Sequence, residues 1–129
     1  MGGRGGIPGR VRSFVAANVE SIGQLELLML LHAKPEHAFT AGEASRELRA
    51  PERHVRGQLV ELTEARVLVH DDHGEETWHF DRGGRHARAV DELAACMRQR
   101  PRAVHDLILS GPSSDVQVFS DAFRLRRDD

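Results

Sequence analysis

Residues 53–68, RHVRGQLVELTEARVL, decide the fold. Three apolar residues in this stretch recur at steps of three and four, the spacing of one buried helix face: Val55, Leu59 and Leu62. Pro51 stands just before the stretch, and proline suits the first turn of a helix because its missing N–H would be unpaired there anyway. The stretch therefore predicts a helix that begins at Pro51, continues to about residue 65 and buries one face.

A short β-hairpin is expected to follow this helix. Residues 67–69 (VLV) are rich in β-branched side chains, and residues 78–80 (WHF) form a second strand candidate. The polar segment between them, residues 70–77, contains a glycine and supplies the turn. The two strands are therefore expected to pair with each other.

Helix-capping patterns mark the helices that precede residue 50. A Ser or Thr followed three residues later by Gln or Glu occurs twice: Ser21 with Gln24, and Thr40 with Glu43. These capping boxes predict helices over 22–33 and 41–49. Apolar residues at helical spacing predict a further short helix over 11–19.

A glycine pair at residues 83–84 separates the hairpin from a predicted long helix over 85–109. Pro101 lies inside this helix and is expected to kink it or split it in two. The helix carries a stripe of apolar residues at core spacing: Val90, Leu93, Met97, Val104, Leu107 and Ile108. A turn at 111–114 and a last helix at 116–125 complete the predicted order.

The apolar stripe needs a surface to cover it, because each large apolar side chain left in water forgoes roughly 1.5–3 kcal/mol. A second copy of the chain would cover it in a homodimer, and twofold symmetry also matches palindromic DNA half-sites. The alternative is packing within the chain, against the predicted helix at 11–19 or the one at 116–125. The homodimer is the favoured prediction.

The whole chain has 129 residues and a net charge of −2, which predicts one domain with appendages. We expect a disordered basic tail at 1–10, a folded domain at 11–82 and a helical region for packing or dimerisation at 83–129. The sequence has no apolar run that would span a membrane, its start lacks the apolar core of a signal peptide, and its single cysteine is Cys96. These features favour the cytoplasm.

The order helix, short helix, turn, helix and hairpin, together with residues 53–68, resembles a winged helix-turn-helix repressor domain. With the long C-terminal helix, the chain is similar to the MarR-like class of transcription regulators. The resemblance implies a mainly α fold with a small β-hairpin, in which a winged helix-turn-helix carries a long C-terminal helical extension. One departure is Arg66, which stands where such helices often end in glycine, a residue that adopts the left-handed cap easily.

The resemblance places the N-terminal half of the decisive helix in the major groove of DNA. Arg53 and Arg56 are three residues apart and share a face, so either suits bidentate contact with guanine. Gly57 permits close approach of the backbone, and Arg46 and Arg49 on the preceding helix would clamp phosphates. These five residues are the predicted DNA-binding set of a sequence-specific regulator. The alternative is that the arginines are solvated and pair with nearby glutamates: Glu43, Glu47 and Glu52.

The charge of the predicted wing argues against DNA. Residues 70–80 contain no lysine or arginine but carry four acidic side chains: Asp71, Asp72, Glu75 and Glu76. Because phosphate neutralisation supplies most non-specific affinity, such a wing either stays off the duplex or contacts a protein. The alternative function is therefore a protein-interaction module for a partner in the transcription machinery.

The sequence offers no support for catalysis. It has no glycine-rich phosphate loop, no nucleophile elbow and no recognisable carboxylate pair, so neither an enzyme nor a cofactor is expected. Hairpin residues invite a metal interpretation, but their spacing matches no strong zinc pattern and a solvated hairpin is favoured: His70, Asp71, Asp72, His73 and His79. Cys96 is expected to be a buried core residue rather than a redox sensor.

Overall fold

The computed structural model describes residues 6–110, which contain six helices and one two-stranded antiparallel sheet. In chain order these are α1 (Gly9–Asn18), α2 (Ile22–Ala33), α3 (Ala41–Leu48), α4 (Glu52–Glu64), β1 (Leu68–Asp71), β2 (Thr77–Phe80), α5 (Ala87–Gln99) and α6 (Pro101–Ser110). The prediction of a mainly α fold with a small β-hairpin is confirmed. The predicted turn at 111–114, the predicted helix at 116–125 and half of the predicted tail lie outside the described residues. Because α1 begins at Gly9, the last two residues of that tail belong to a helix.

The predicted capping residues fix the starts of α2 and α3. At Thr40 the whole capping box is present, since its Oγ1 accepts from the N–H of Glu43 at 3.0 Å and its own N–H donates to Glu43 Oε1 at 3.0 Å. At Ser21 only half of the predicted box forms. Its Oγ accepts from the N–H of Gln24 at 3.1 Å, but the Gln24 side chain accepts from the N–H of Glu20 instead. Both helices begin where the sequence predicts because these bonds are local.

The two ends of α4 are set by backbone conformation rather than by side-chain caps. Pro51, the predicted start, lies at the N-cap, so that α4 begins one residue later at Glu52. Arg49, two residues before Pro51, adopts the left-handed conformation with a φ of 56°. At the other end Arg66 is also left-handed, with a φ of 68°. The N–H of Val67 donates to the Leu62 carbonyl at 2.9 Å, which completes a Schellman motif around Arg66. The arginine therefore adopts the left-handed cap that glycine usually provides.

The hairpin gains a third extended segment from the loop between α2 and α3. Strands β1 and β2 pair from Leu68 with Phe80 to Asp71 with Thr77. On the other edge of β2, Trp78 exchanges two backbone hydrogen bonds of 2.8 Å with Phe39. This bridge was not predicted, because a single paired residue leaves no periodic pattern in the sequence. It ties the base of the hairpin to the start of α3.

Pro101 splits the predicted long helix, so that α5 ends at Gln99 and α6 begins at the proline. Most of the apolar stripe is buried inside a single chain, where α5 and α6 pack against α1 and α2: Val90, Leu93, Val104 and Ile108. Met97 and Leu107 are half-buried against the same core. The uncovered area that favoured a second copy is therefore largely absent, and the intrachain alternative with the first helix accounts for the stripe. Cys96 is buried on α5 as expected.

Within residues 6–110, no single helix has both the length and the apolar character needed to cross a membrane. Helices α1 and α2 reach the required length and composition only when they are taken together, and they meet at a bend of 114°. Both helices bury their large apolar side chains in the common core, including Val11, Leu27 and Leu31. Burial of this kind is what a core helix of a folded domain requires.

Candidate nucleic-acid interface

Helix α4 separates a buried face from an open one. Val55, Leu59 and Leu62 have no exposed surface. Successive residues of an α-helix are rotated by about 100° around the helix axis. That rotation places Arg53, Gly57 and Val60 on the opposite side, where all three are exposed. Val60 keeps 41% of its surface, an uncommon exposure for a large apolar side chain in the described part of the chain. The exposed face of α4 thus combines a cationic side chain, a glycine that has no side chain, and an apolar side chain.

Arg53 borders an open cleft of about 610 Å³ between the start of α2 and the outer side of α4. The lining is mixed in charge, with Arg53 and His54 opposed by Glu20 and Glu61. Gln58 lies deeper and is only 8% exposed; its amide makes no hydrogen bond to the residues between 6 and 110. Because the lining carries charges of both signs, this cleft does not by itself favour an anion over other polar groups.

Arg56, one turn further along α4, is turned toward the hairpin. Its Nη1 donates to Glu76 Oε1, and its guanidinium lies 5.5 Å from the centre of the Trp78 ring, within cation–π range. The side chains of Arg56 and Glu76 remain 45% and 39% exposed. The hydrogen bond to Glu76 raises the pKa of Arg56 further above its usual value. Arg56 therefore already has a carboxylate partner within the chain.

Glu76 is held from both sides. While Oε1 accepts from Arg56, Oε2 accepts from His70 Nε2 at 2.8 Å. The His70 ring lies opposite Trp78 in the strand pairing, with ring centres 5.0 Å apart. The hydrogen bonds from Arg56 and then from His70 hold the pKa of the Glu76 carboxyl below its usual value. The acidic hairpin thus neutralises one of its charges with an α4 arginine.

The remaining predicted cations lie on and just after α3. Arg46 is exposed in the last turn of α3, and Arg49 is exposed at its left-handed C-cap. The predicted alternative was that the arginines pair with neighbouring glutamates. In the described chain Arg46, Arg49 and Arg53 form no ion pair, and Arg56 pairs with Glu76 rather than with a nearby glutamate. The structure therefore brings Arg53, Arg56 and Gly57 together on α4, with the other two arginines on the element before it.

The tip of the hairpin gathers three possible metal ligands, Asp71, Asp72 and His73, whose ligand atoms lie within 4.8 Å of one another. All three are exposed, and Asp71 Oδ1 already accepts from the backbone N–H of His73 at 2.9 Å. His70 is engaged with Glu76 and does not join them. The three residues form part of the exposed tip of the hairpin.

Sequence reasoning missed the contact between α4 and the hairpin. Glu76 was counted only as one of four acidic wing residues. A signal was present, because Glu76 directly precedes β2 and stands two residues before Trp78, a spacing that places both side chains on the same side of an extended chain. The short link from α4 into β1 turns this side of the hairpin toward α4. Predicting the pair between Glu76 and Arg56, twenty residues apart, requires both the spacing of Glu76 and Trp78 and the direction of this link.

Comparisons with protein-family models, with curated proteins and with solved structures found no match to this chain. A functional assignment therefore depends on the geometry of α3, α4 and the hairpin.

Proposed function

We propose that this chain is a winged helix-turn-helix DNA-binding protein that acts as a sequence-specific transcription regulator. In this proposal α3 and α4 are the helix-turn-helix, α4 is the recognition helix, and the β1–β2 hairpin is the wing. The observation that carries the proposal is the two-sided character of α4. Its inner face is locked into the core by three fully buried side chains, while its outer face carries Arg53, Gly57 and Val60 into solvent.

Each exposed residue on α4 suits a different feature of the major groove. Arg53 has no ion-pair partner in the described chain and can form two hydrogen bonds with guanine, a contact worth about 1–3 kcal/mol of discrimination. Gly57 has no side chain and lets the helix backbone approach the bases. Val60 offers an apolar surface of the kind that contacts the methyl group of thymine.

Phosphate contacts in this proposal come from Arg46 and Arg49, which flank the turn between the two helices. The dimeric state of the regulator and its place in the MarR-like class stay predictions from the sequence. A dimer interface would involve surfaces other than the buried part of the α5–α6 stripe. Met97 and Leu107, which are half-buried, are the members of that stripe still available to a partner.

The proposal is tested by the double variant Arg53→Ala plus Arg56→Ala in a gel-shift assay with the promoter region of the protein's own gene. The matched control is Arg98→Ala plus Arg102→Ala, which removes the same charge from exposed positions on α5 and α6. We expect the first variant to lose binding and the control to retain most of it. Equal binding by both double variants would show that α4 does not read the DNA.

A second candidate function is a protein-interaction module, favoured by the acidic tip of the hairpin. Asp72 and Glu75 are exposed and form no ion pair in residues 6–110, so they are open to a basic partner surface. The matching test combines two observations. The first is that a partner from the transcription machinery binds the wild-type chain but not the double variant Asp72→Asn plus Glu75→Gln. The second is that the chain does not bind duplex DNA. Both results together would support this function.

A further inference from the structure

Arg56 differs from Arg53 in having a carboxylate partner within the chain. Both arginines belong to the proposed recognition helix, yet Arg56 donates to a carboxylate of the hairpin and lies over Trp78. A guanine edge or a phosphate would offer this guanidinium the same kind of acceptor that Glu76 already supplies. DNA contact by Arg56 therefore has to break a bond that exists in the free protein.

We infer that Glu76 competes with DNA for Arg56 and so limits the affinity of α4 for guanine-containing sites. This inference rests on the proposed function. Binding exchanges the Glu76 carboxylate for a DNA acceptor, while α4 itself keeps its place in the core. The occupant of the site is the edge of a base in the major groove, and guanine, with two acceptors side by side, fits a guanidinium best.

The exchange is feasible because both partners are exposed by about two-fifths or more of their side chains. An ion pair at this exposure is weak, and its loss changes an equilibrium by a factor of about 1.5 to 5. Glu76 does not lose every partner when Arg56 leaves, because Oε2 still accepts from His70. Only the long side chain of Arg56 has to move, and no buried group is left unpaired.

The competition lowers affinity most where Arg56 makes its best contact with DNA. Arg53 has no ion-pair partner to give up, so its contact with guanine carries no such cost. Arg56 leaves Glu76 only where the DNA offers a better acceptor, and a bidentate guanine is the strongest candidate. A base that makes only one poor hydrogen bond does not displace the carboxylate. The cost of breaking the Arg56–Glu76 bond therefore falls on guanine-containing sites, and Glu76 limits how tightly they are bound.

The test compares Glu76→Gln with Glu75→Gln, because the two substitutions remove the same charge from adjacent positions. Glu75 is exposed and forms no ion pair in the described chain, so it reports the general effect of a less acidic hairpin. Binding is measured by fluorescence anisotropy with two duplexes of equal length, one made only of G·C pairs and one only of A·T pairs. Circular dichroism checks that both variants are folded.

We expect Glu76→Gln to bind the G·C duplex about 1.5 to 5 times more tightly than Glu75→Gln does, with a smaller gain on the A·T duplex, where Arg56 keeps its bond to Glu76 in the wild type. When Arg56→Ala is also present, the two glutamate substitutions should change duplex affinity equally, because there is no arginine left for Glu76 to hold. In the free protein, Glu76→Gln should also move the side-chain Nε–Hε resonance of Arg56 in a 15N–1H spectrum, and Glu75→Gln should leave it in place.

Two outcomes overturn the inference alone. If the wild type binds duplex DNA but Glu76→Gln and Glu75→Gln bind it equally, the affinity depends on the net charge of the hairpin and not on the bond between Glu76 and Arg56. If Glu76→Gln binds more weakly than Glu75→Gln, then Glu76 supports Arg56 in the complex rather than competing for it. A third outcome overturns the proposed function as well: no salt-dependent duplex binding by the wild type or by any variant.

Discussion

Helix α4 and the β1–β2 hairpin lie side by side but are held in place to very different degrees. Three side chains of α4 have no exposed surface at all, and they anchor the middle of the helix: Val55, Leu59 and Leu62. The hairpin is buried mainly at its base, through Trp78 and Phe80, while its tip is exposed and acidic. The core contacts of α4 therefore set the shape of this surface, and the hairpin sets its charge.

The same contrast separates the two arginines of α4. Arg53, on the side away from the hairpin, borders an open cleft and has no ion-pair partner in the described chain. Arg56, three residues later, is occupied by Glu76. Under the proposed function, the two arginines are therefore expected to contribute differently to DNA binding, since Arg56 must first give up its bond to the Glu76 carboxylate.

The largest effect on stability is expected where the hairpin is anchored. Trp78 is 1% exposed, pairs with Phe39 on one edge and supports Arg56 with its ring. Trp78→Ala should lower the free energy of unfolding by about 3–5 kcal/mol, because it removes a large buried ring. Urea denaturation measures the loss. His79→Ala, at the adjacent half-buried position, should cost about 1 kcal/mol or less. Equal losses would show that the hairpin base is not part of the core.

A smaller effect is expected at the C-terminal end of α4, where Arg66 has a φ of 68°. Arg66→Gly should be about 0.5–1 kcal/mol more stable than Arg66→Ala, because glycine adopts the left-handed conformation without a steric penalty. In the middle of the same helix the order should reverse. Val60→Gly should be about 1 kcal/mol less stable than Val60→Ala. Thermal or urea unfolding of the four variants checks both signs, and the same order at both positions would contradict the left-handed cap.

The smallest expected effect is on the pH dependence of stability. The pKa of Glu43 is lowered chiefly by the N–H of Thr40, and that of Glu76 chiefly by Arg56. A carboxyl whose pKa is lower in the folded state stabilises the fold above the unfolded pKa, and this contribution is lost as pH falls through the folded pKa. Glu43→Gln and Glu76→Gln should therefore each flatten the acid limb of a stability–pH curve. An acid limb that keeps its slope in either variant would contradict the local cause assigned to that carboxyl.

Much of the fold could be predicted because its signals are local. The helix starts at Ser21 and Thr40 follow from bonds that span three residues, and the buried face of α4 follows from spacing alone. A proline in the interior of a helix kinks or breaks it, so a kink or a split at Pro101 was predictable, and the structure shows the split.

The parts that could not be predicted depend on how distant elements meet. The spacing of apolar residues predicted that the α5–α6 stripe must be covered, but it could not choose between α1, the helix predicted at 116–125 and a second copy. The bridge from Phe39 to Trp78 and the pair from Arg56 to Glu76 arise only when the hairpin folds back on the helical core. Of the predicted DNA-binding set, the sequence could name the exposed residues of α4 but not which arginine is already engaged.

The central claim, that α3 and α4 grip DNA, is tested most directly by the salt dependence of duplex binding. The measurement is the affinity of the full chain for a mixed-sequence duplex as the salt concentration is raised, repeated with Arg46→Ala plus Arg49→Ala. Each phosphate contact contributes a slope of about −0.9 in a plot of log affinity against log salt. The proposal predicts a clear negative slope that becomes shallower by about two such contacts in the variant. A flat slope in the wild type, or an unchanged slope in the variant, would contradict it.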